Sequence, residues 1–279
     1  MKKRKTVQDF MAMKKNGEKI TVLTSYDASM AGLMEACGVD MLLVGDSLGN
    51  VVLGYDSTVP VTMDQMLHHA SAVRRGAPGA FVIGDMPFGS YQSGARDAII
   101  NASRFLKEAG CDSVKLEGGL AVCDTVRAMV DAGISVMGHI GLTPQTASQL
   151  GGYKVQGKDA DSAKRLIAEA KGLAEAGAFS LVMECVPSQL ADIITESIDI
   201  PTIGIGAGPG CDGQVLVIND LVGMFEKFIP SFVKTYASLA PLIKESITQY
   251  NREVREGSFP GPEHSFSTQV DLRAILKEK

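Results

Sequence analysis

Five short apolar segments of this sequence run into ionisable residues. Met41-Leu-Leu-Val-Gly leads to Asp46 and Ser47, and Phe81-Val-Ile-Gly leads to Asp85. Ser113-Val-Lys115-Leu-Glu117 carries a lysine and an acid. Ile134-Ser-Val-Met-Gly meets His139, and Ser180-Leu-Val-Met meets Glu184. Asp46, Asp85 and Glu117 together would present hard oxygen donors. Such a set suits Mg²⁺, which takes one or two carboxylates, keeps waters, and leaves room for a substrate's oxygens. Each residue also has a plainer role. A lone strand-end Asp commonly caps the next helix. Glu184, just before Pro187, could do the same, and a lone His139 could be a structural hydrogen-bonder. Lys115 has two chemistries open to it, a Schiff base or an ion pair with an anionic substrate. Acids nearby favour its charged form and with it the electrostatic role. Val182, Met183 and Val186 around Glu184 are the kind of apolar setting that raises a carboxylate's pKa and suits a general base.

Positioning such residues at one place requires a particular framework. Near-continuous apolar runs occur at residues 19–24, 41–44, 81–84, 113–116, 134–138, 180–183, 202–205 and 215–218. Runs of this kind fit parallel strands covered on both faces. Helical patterns lie between most of them, at 28–37, 63–75, 95–109, 121–131 and 159–176. Gly38, Gly76, Gly110, Gly133 and Gly177 stand just past the ends of these patterns, where glycine closes a helix. Eight strands alternating with helices predict an α/β fold, a TIM (β/α)8 barrel. The whole chain, 1–279, reads as a single barrel domain with an N-terminal extension and a helical tail over 231–257. The link 206–214 is too short for an ordinary crossover helix, since parallel crossovers usually take about a dozen residues or more. In a barrel the active site forms at the C-terminal strand ends. Side chains alternate with period two, so Lys115 should share a face with Glu117, Val44 with Asp46, and Ile83 with Asp85.

Composition narrows the function classes. The 279 residues carry 27 Lys plus Arg against 32 Asp plus Glu, a net charge of −5. This argues against nucleic acid as a partner, which would favour a basic patch. No apolar run reaches about 18 residues, so no membrane span is expected. The charged start lacks the apolar stretch of a signal peptide. Cys37, Cys111, Cys123, Cys185 and Cys211 are odd in number and form no CxxC pair. They read as reduced thiols, consistent with a cytoplasmic location.

Other features read as structural. His68 and His69 are neighbours on a helical pattern and point about 100° apart, not toward one metal. Gly204-Ile-Gly-Ala-Gly208-Pro-Gly210 does not open a helix, as a dinucleotide turn must. Cys185 lacks the base and orienting group of a thiol enzyme. The polar stretch 141–158, with Gln145, Gln149, Gly151 and Gly152, fits either a lid or an insertion. Phe225, Phe228, Phe232 and Phe266 fit either an interface or the core.

Several phrases then combine. They include Leu23-Thr-Ser-Tyr-Asp27, Val44-Gly-Asp-Ser-Leu-Gly49, Gly54-Tyr-Asp-Ser-Thr-Val-Pro-Val-Thr62, Gly84-Asp-Met-Pro-Phe88 and Val114-Lys-Leu-Glu-Gly118. Gly138-His-Ile-Gly-Leu-Thr-Pro-Gln145, Cys211-Asp-Gly-Gln214 and Phe259-Pro-Gly-Pro-Glu-His-Ser-Phe266 follow in order. Over essentially its whole length the sequence resembles the ketopantoate hydroxymethyltransferase family of pantothenate biosynthesis. The resemblance implies a Mg²⁺-dependent barrel enzyme. It would transfer a one-carbon unit from 5,10-methylenetetrahydrofolate to 3-methyl-2-oxobutanoate, giving 2-dehydropantoate through a metal-stabilised enolate. It also implies Asp46, Asp85 and Glu117 as the metal site. Asp46, Ser47, Asp85, Lys115 and His139 would contact substrate, and Glu184 would accept the proton. The partners implied are a small 2-oxo acid, the folate and further copies of the chain, commonly in a decamer. The alternative is a Mg²⁺-dependent 2-oxo-acid lyase or mutase of the isocitrate-lyase type, although the Cys-Gly-His phrase expected of the lyases is missing.

Overall fold

The computed structural model describes residues 4–149, 151–227 and 229–275. Eight strands form a closed parallel barrel in sequential order. They are β1 (Ile20–Thr24), β2 (Met41–Val44), β3 (Phe81–Asp85), β4 (Ser113–Lys115), β5 (Val136–Gly141), β6 (Ser180–Glu184), β7 (Thr202–Ile205) and β8 (Gly213–Leu216). β8 pairs with β1 and closes the ring. The helices are α1 (Val7–Asn16), α2 (Ala28–Ala36), α3 (Leu48–Val51), α4 (Met63–Gly76), α5 (Ala95–Lys107) and α6 (Cys123–Asp131). They continue with α7 (Ala160–Glu175), α8 (Ser188–Ser197), α9 (Ile218–Leu221), α10 (Leu239–Glu256) and α11 (Leu272–Ile275). This is the TIM barrel that the alternation of apolar runs and helical patterns predicts.

Alternation along the strands divides the core in two. Ile20, Val22, Met41, Leu43, Phe81, Ile83, Met137, Val182, Ile203 and Val215 fill the barrel interior. Leu42, Val44, Val82, Val114, Val136, Leu181 and Met183 face the helices. Helix α1 closes the bottom of the barrel. Its Phe10 is fully buried and packs edge-on against Phe81, with ring centroids 5.0 Å apart. Ion pairs flanking α1 hold it there, Lys5 to Asp40 and Lys14 to Asp212. With the lower half plugged and polar there only at the small buried Ser113 and Ser180, the ionisable interior positions gather at the upper strand ends.

Three expectations are corrected, and the short link before the last strand is as expected. Val44 and Asp46 do not share a face. β2 ends at Val44, which packs among the helices, and the chain turns at Gly45, carrying buried Asp46 to the mouth. Gly76 is the last residue of α4 rather than a left-handed cap. A Cβ there would lie 2.1 Å from the Ala28 carbonyl oxygen, so its role is the close approach of α2 and α4. The tail is helical only over Leu239–Glu256, because 231–238 runs as turn and irregular backbone. The link from β7 to β8 contains no helix. It lies close against α8, where Cβ atoms on Gly208 and Gly210 would strike Ser188 and Asp192. Phe225 and Phe232 are half-buried and Phe266 is exposed, while Phe228 lies outside the described residues. No described helix is long and apolar enough to cross a membrane.

At the mouth, β5 ends on Gly141, with φ +91°. A Cβ there would come within 2.2 Å of the Glu184 carbonyl oxygen. Gly141→Ala is therefore expected to lower unfolding free energy by about 1–3 kcal/mol, through backbone strain and the clash. Urea denaturation of the variant measures this directly.

Candidate active site

The strand ends bring the ionisable residues together at the top of the barrel. Asp46, Asp85, Lys115, Glu117 and His139 are all buried. Asp85 and Lys115 point inward by the alternation of β3 and β4, and Glu117, two residues past the end of β4, lies beside Lys115. His139 points inward from β5, and Glu184 from β6, the strand opposite β2 in the ring.

Lys115 and Asp85 form the tightest pair. The ammonium donates to both carboxylate oxygens, at 2.7 and 2.9 Å, and lies 4.0 Å from Glu117 Oε1. Asp85 Oδ2 also accepts the Asp46 backbone N–H at 3.2 Å. Burial opposes the charge on Lys115, but Asp85, Glu117 and Asp46 outweigh it, and its pKa is pushed up. A lysine held charged in this way suits electrostatic work and not Schiff-base formation.

The carboxylates differ from one another. Burial, and then repulsion from Asp85 and Glu117, pushes Asp46 well above the usual carboxylate range. Burial raises Asp85 too, against the pull of Lys115. Glu117 goes the other way. Burial would raise it, but His139, Lys115 and the Gln145 N–H stabilise its anion and lower its pKa. Three buried acids thus face one lysine and one histidine. Among the described residues, no group of three or more His, Cys, Asp or Glu side chains is placed to hold a metal ion by itself.

His139 bridges the two walls. Its Nδ1 lies 3.5 Å from Glu117 Oε1 and its Nε2 3.3 Å from Glu184 Oε2, although neither contact is aligned as a full hydrogen bond. Burial and Lys115 push its pKa down, but the two carboxylates win and raise it to about 9. Glu184 is the most accessible of the acids, its side chain 16% exposed. The dry apolar pocket expected around it is absent, since Val182 faces the barrel interior and Met183 and Val186 face the helices.

Ser47 lies beside this group, its Oγ 2.8 Å from the Tyr26 hydroxyl. The features read as structural stay so. His69 Nδ1 meets the Tyr26 carbonyl at 2.7 Å, and the His68 and His69 rings are nearly perpendicular. The Cys185 backbone is left-handed, at φ +50°, and burial, then Glu184, pushes its thiol up to about 11.

Two residues at the centre of the site were given no site role by sequence. Gln145, on the loop after β5, and Tyr91, on the loop after β3, are both buried. The Tyr91 hydroxyl donates to Gln145 Oε1 at 2.8 Å and accepts the Glu117 N–H at 3.2 Å. The Leu-Thr-Pro-Gln145 phrase marked the position of Gln145 but not its role, and nothing local marked Tyr91.

The comparisons with known proteins bear on the family and the fold. Residues 4–262 match the sequence profile of ketopantoate hydroxymethyltransferase. A 3-methyl-2-oxobutanoate hydroxymethyltransferase of Desulfotalea psychrophila is 64% identical, covering 98% of each chain. One from Heliobacterium modesticaldum is 56% identical, covering 99% of this chain and all of the relative. Among solved structures, a phosphonopyruvate hydrolase complex with oxalate and Mg²⁺ superposes with a TM-score of 0.61 at 12% identity, covering 98% of this chain and 94% of the other. A 2,3-dimethylmalate lyase of the PEP mutase/isocitrate lyase superfamily gives 0.59 at 16% identity, covering 97% and 93%. These distant likenesses concern the fold. Full-length identity with the hydroxymethyltransferases decides against the lyase alternative, and the chain is an enzyme of the ketopantoate hydroxymethyltransferase family.

Proposed function

We propose that this enzyme transfers the one-carbon unit of 5,10-methylenetetrahydrofolate to 3-methyl-2-oxobutanoate, giving 2-dehydropantoate. The observation that carries this reading is the buried group of Asp46, Asp85, Lys115 and Glu117, faced across the mouth by Glu184. Such a site suits a small 2-oxo acid that must lose a proton from carbon.

The donor set fits Mg²⁺. The ion needs only one or two carboxylates and completes its shell with water and substrate oxygens, so a full protein cage is not required. Asp46 and Asp85 are adjacent oxygen donors whose mutual repulsion a cation would relieve, and Glu117 adds the third charge. When bound, Mg²⁺ would polarise the keto group and stabilise the enolate as a Lewis acid.

The chain's own residues do the rest. Ser47 and Lys115 hold the substrate's carboxylate end, with Asp46 and Asp85 close by and His139 as a further contact. Glu184 takes the C3 proton on a carboxylate oxygen, and the C3–H electrons pass into the enolate. Its contact with His139 restrains the side chain where it must act. The carbon nucleophile then bonds to the donated methylene carbon. Both C–N bonds of that carbon to the folate break, water supplies the hydroxyl oxygen, and tetrahydrofolate departs with its two nitrogens carrying the C3 proton and one proton of the water. Lys115 offsets negative charge at the oxo acid throughout.

The enzyme is further read as a cytoplasmic homo-oligomer, decameric as the resemblance implies. Helix α10 supports association. Ile243, Ile247, Tyr250 and Val254 are exposed at spacings that place them on one face.

Production of 2-dehydropantoate from 3-methyl-2-oxobutanoate tests the activity. Product is expected only when the folate and Mg²⁺ are both present. Cleavage or rearrangement of a 2-oxo acid without folate would instead support lyase or mutase chemistry.

A further inference from the structure

Gln145 touches two of the acids at once. Its side-chain Nε2 donates to Asp46 Oδ2 and to the Met86 carbonyl, each at 3.0 Å. Its backbone N–H donates to Glu117 Oε2, also at 3.0 Å. The amide cannot be reversed. The Met86 carbonyl only accepts, so NH₂ must face it, and the opposite oxygen takes the Tyr91 hydroxyl proton at 2.8 Å. Both amide protons and the amide oxygen are therefore used inside the protein, and the side chain is held in one orientation. The contacts span the loops after β2, β3, β4 and β5.

One oxygen of Asp46 is thereby occupied. The other, Oδ1, has no hydrogen-bond donor among the described residues. Glu117 is divided in the same way, with Oε2 on Gln145 and Oε1 toward His139 and Lys115. An aspartate in this state has Oδ1 open and Oδ2 already engaged, which favours ligation of a cation through one oxygen over chelation through two. That difference separates two common ions. Ca²⁺ takes six to eight oxygens in flexible shells and readily accepts bidentate carboxylates, whereas Mg²⁺ demands a compact octahedron built from single oxygens.

We propose that Gln145 is a specificity-determining residue, which fixes Asp46 as a one-oxygen ligand and so makes the site select Mg²⁺ over Ca²⁺. This rests on the metal reading given above. The polar atoms of the Gln145 amide are all engaged by protein groups. Gln145 acts through Asp46, and Tyr91 acts through Gln145.

Displacement of Mn²⁺ from the full-length protein, followed by electron paramagnetic resonance, tests this without any turnover. Mg²⁺ and Ca²⁺ serve as the competitors. Gln145→Met removes the amide donor and keeps the backbone N–H on Glu117. The preference for Mg²⁺ over Ca²⁺ is expected to fall about tenfold, on the scale of one hydrogen bond to a charged group. Gln145→Leu also lacks the donor, adds no charge, and should move the ratio in the same direction. Should one variant fail to fold, the other carries the test. A structural role alone would weaken both ions alike, and an unchanged ratio in wild-type-like folded variants would overturn the proposal. The metal reading has its own control. If wild type retains Mn²⁺ no better than Asp46→Asn, that reading fails, and this inference falls with it.

Discussion

Glu184→Gln is expected to bind 3-methyl-2-oxobutanoate together with Mg²⁺ and yet to lose exchange of the C3 proton. Proton NMR in D₂O reads this directly, because the C3–H signal disappears as deuterium enters. General-base help of this kind is worth about 10²–10⁴-fold, and exchange should slow by that amount. The amide has the shape of the acid but cannot accept a proton from carbon. It also removes one of the two carboxylates that hold His139 charged, so the ring would rely on Glu117 alone. Binding should survive, because Asp46, Asp85 and Lys115 lie across the mouth and are joined to one another rather than to Glu184. Exchange at the wild-type rate would remove Glu184 from the proton-accepting role.

The second large effect belongs to Asp85. Asp85→Ala takes both acceptors away from a lysine whose side chain is 5% exposed. Glu117 is then the nearest acid, at 4.0 Å. Removing one partner of a buried ion pair typically costs about 3–5 kcal/mol, since the remaining charge is left without compensation. Denaturant unfolding should show this loss. Calorimetry should show, separately, a weakened Mg²⁺-dependent affinity for the oxo acid. The two measurements distinguish a folding role from a binding role. Unchanged affinity in the presence of metal would take Asp85 out of the site, whatever the effect on stability.

These predictions rest on residues that were legible before any tertiary structure. The pattern of β3 placed Ile83 with Asp85, because side chains of a strand alternate and interior positions of a barrel keep one parity, and Glu117 keeps the side of Lys115 although β4 stops at Lys115. The same parity carried His139 and Glu184 inward from β5 and β6. It failed at Asp46, where the strand stops at Val44 and Gly45 turns the chain. Period-two reasoning ends where the strand does. The setting of Glu184 was also misjudged. Val182, Met183 and Val186 are its neighbours in sequence, but they point into two different cores, and what faces the carboxylate is His139.

By itself, then, the sequence determined the barrel, its eight strands and the chemical types gathered at their upper ends. Those follow from local periodicity and from the one closure that eight βα units favour. Only the tertiary structure decided how the charges are partnered. The clasp of Gln145 on Asp46 spans 99 positions, and that of Tyr91 on Gln145 spans 54. Nothing short-range encodes such contacts, because they exist only after ring closure brings the loops of different strands to one mouth. There, burial makes every unpaired charge costly. That penalty, rather than any motif, settles which oxygen is hydrogen-bonded and which is left open.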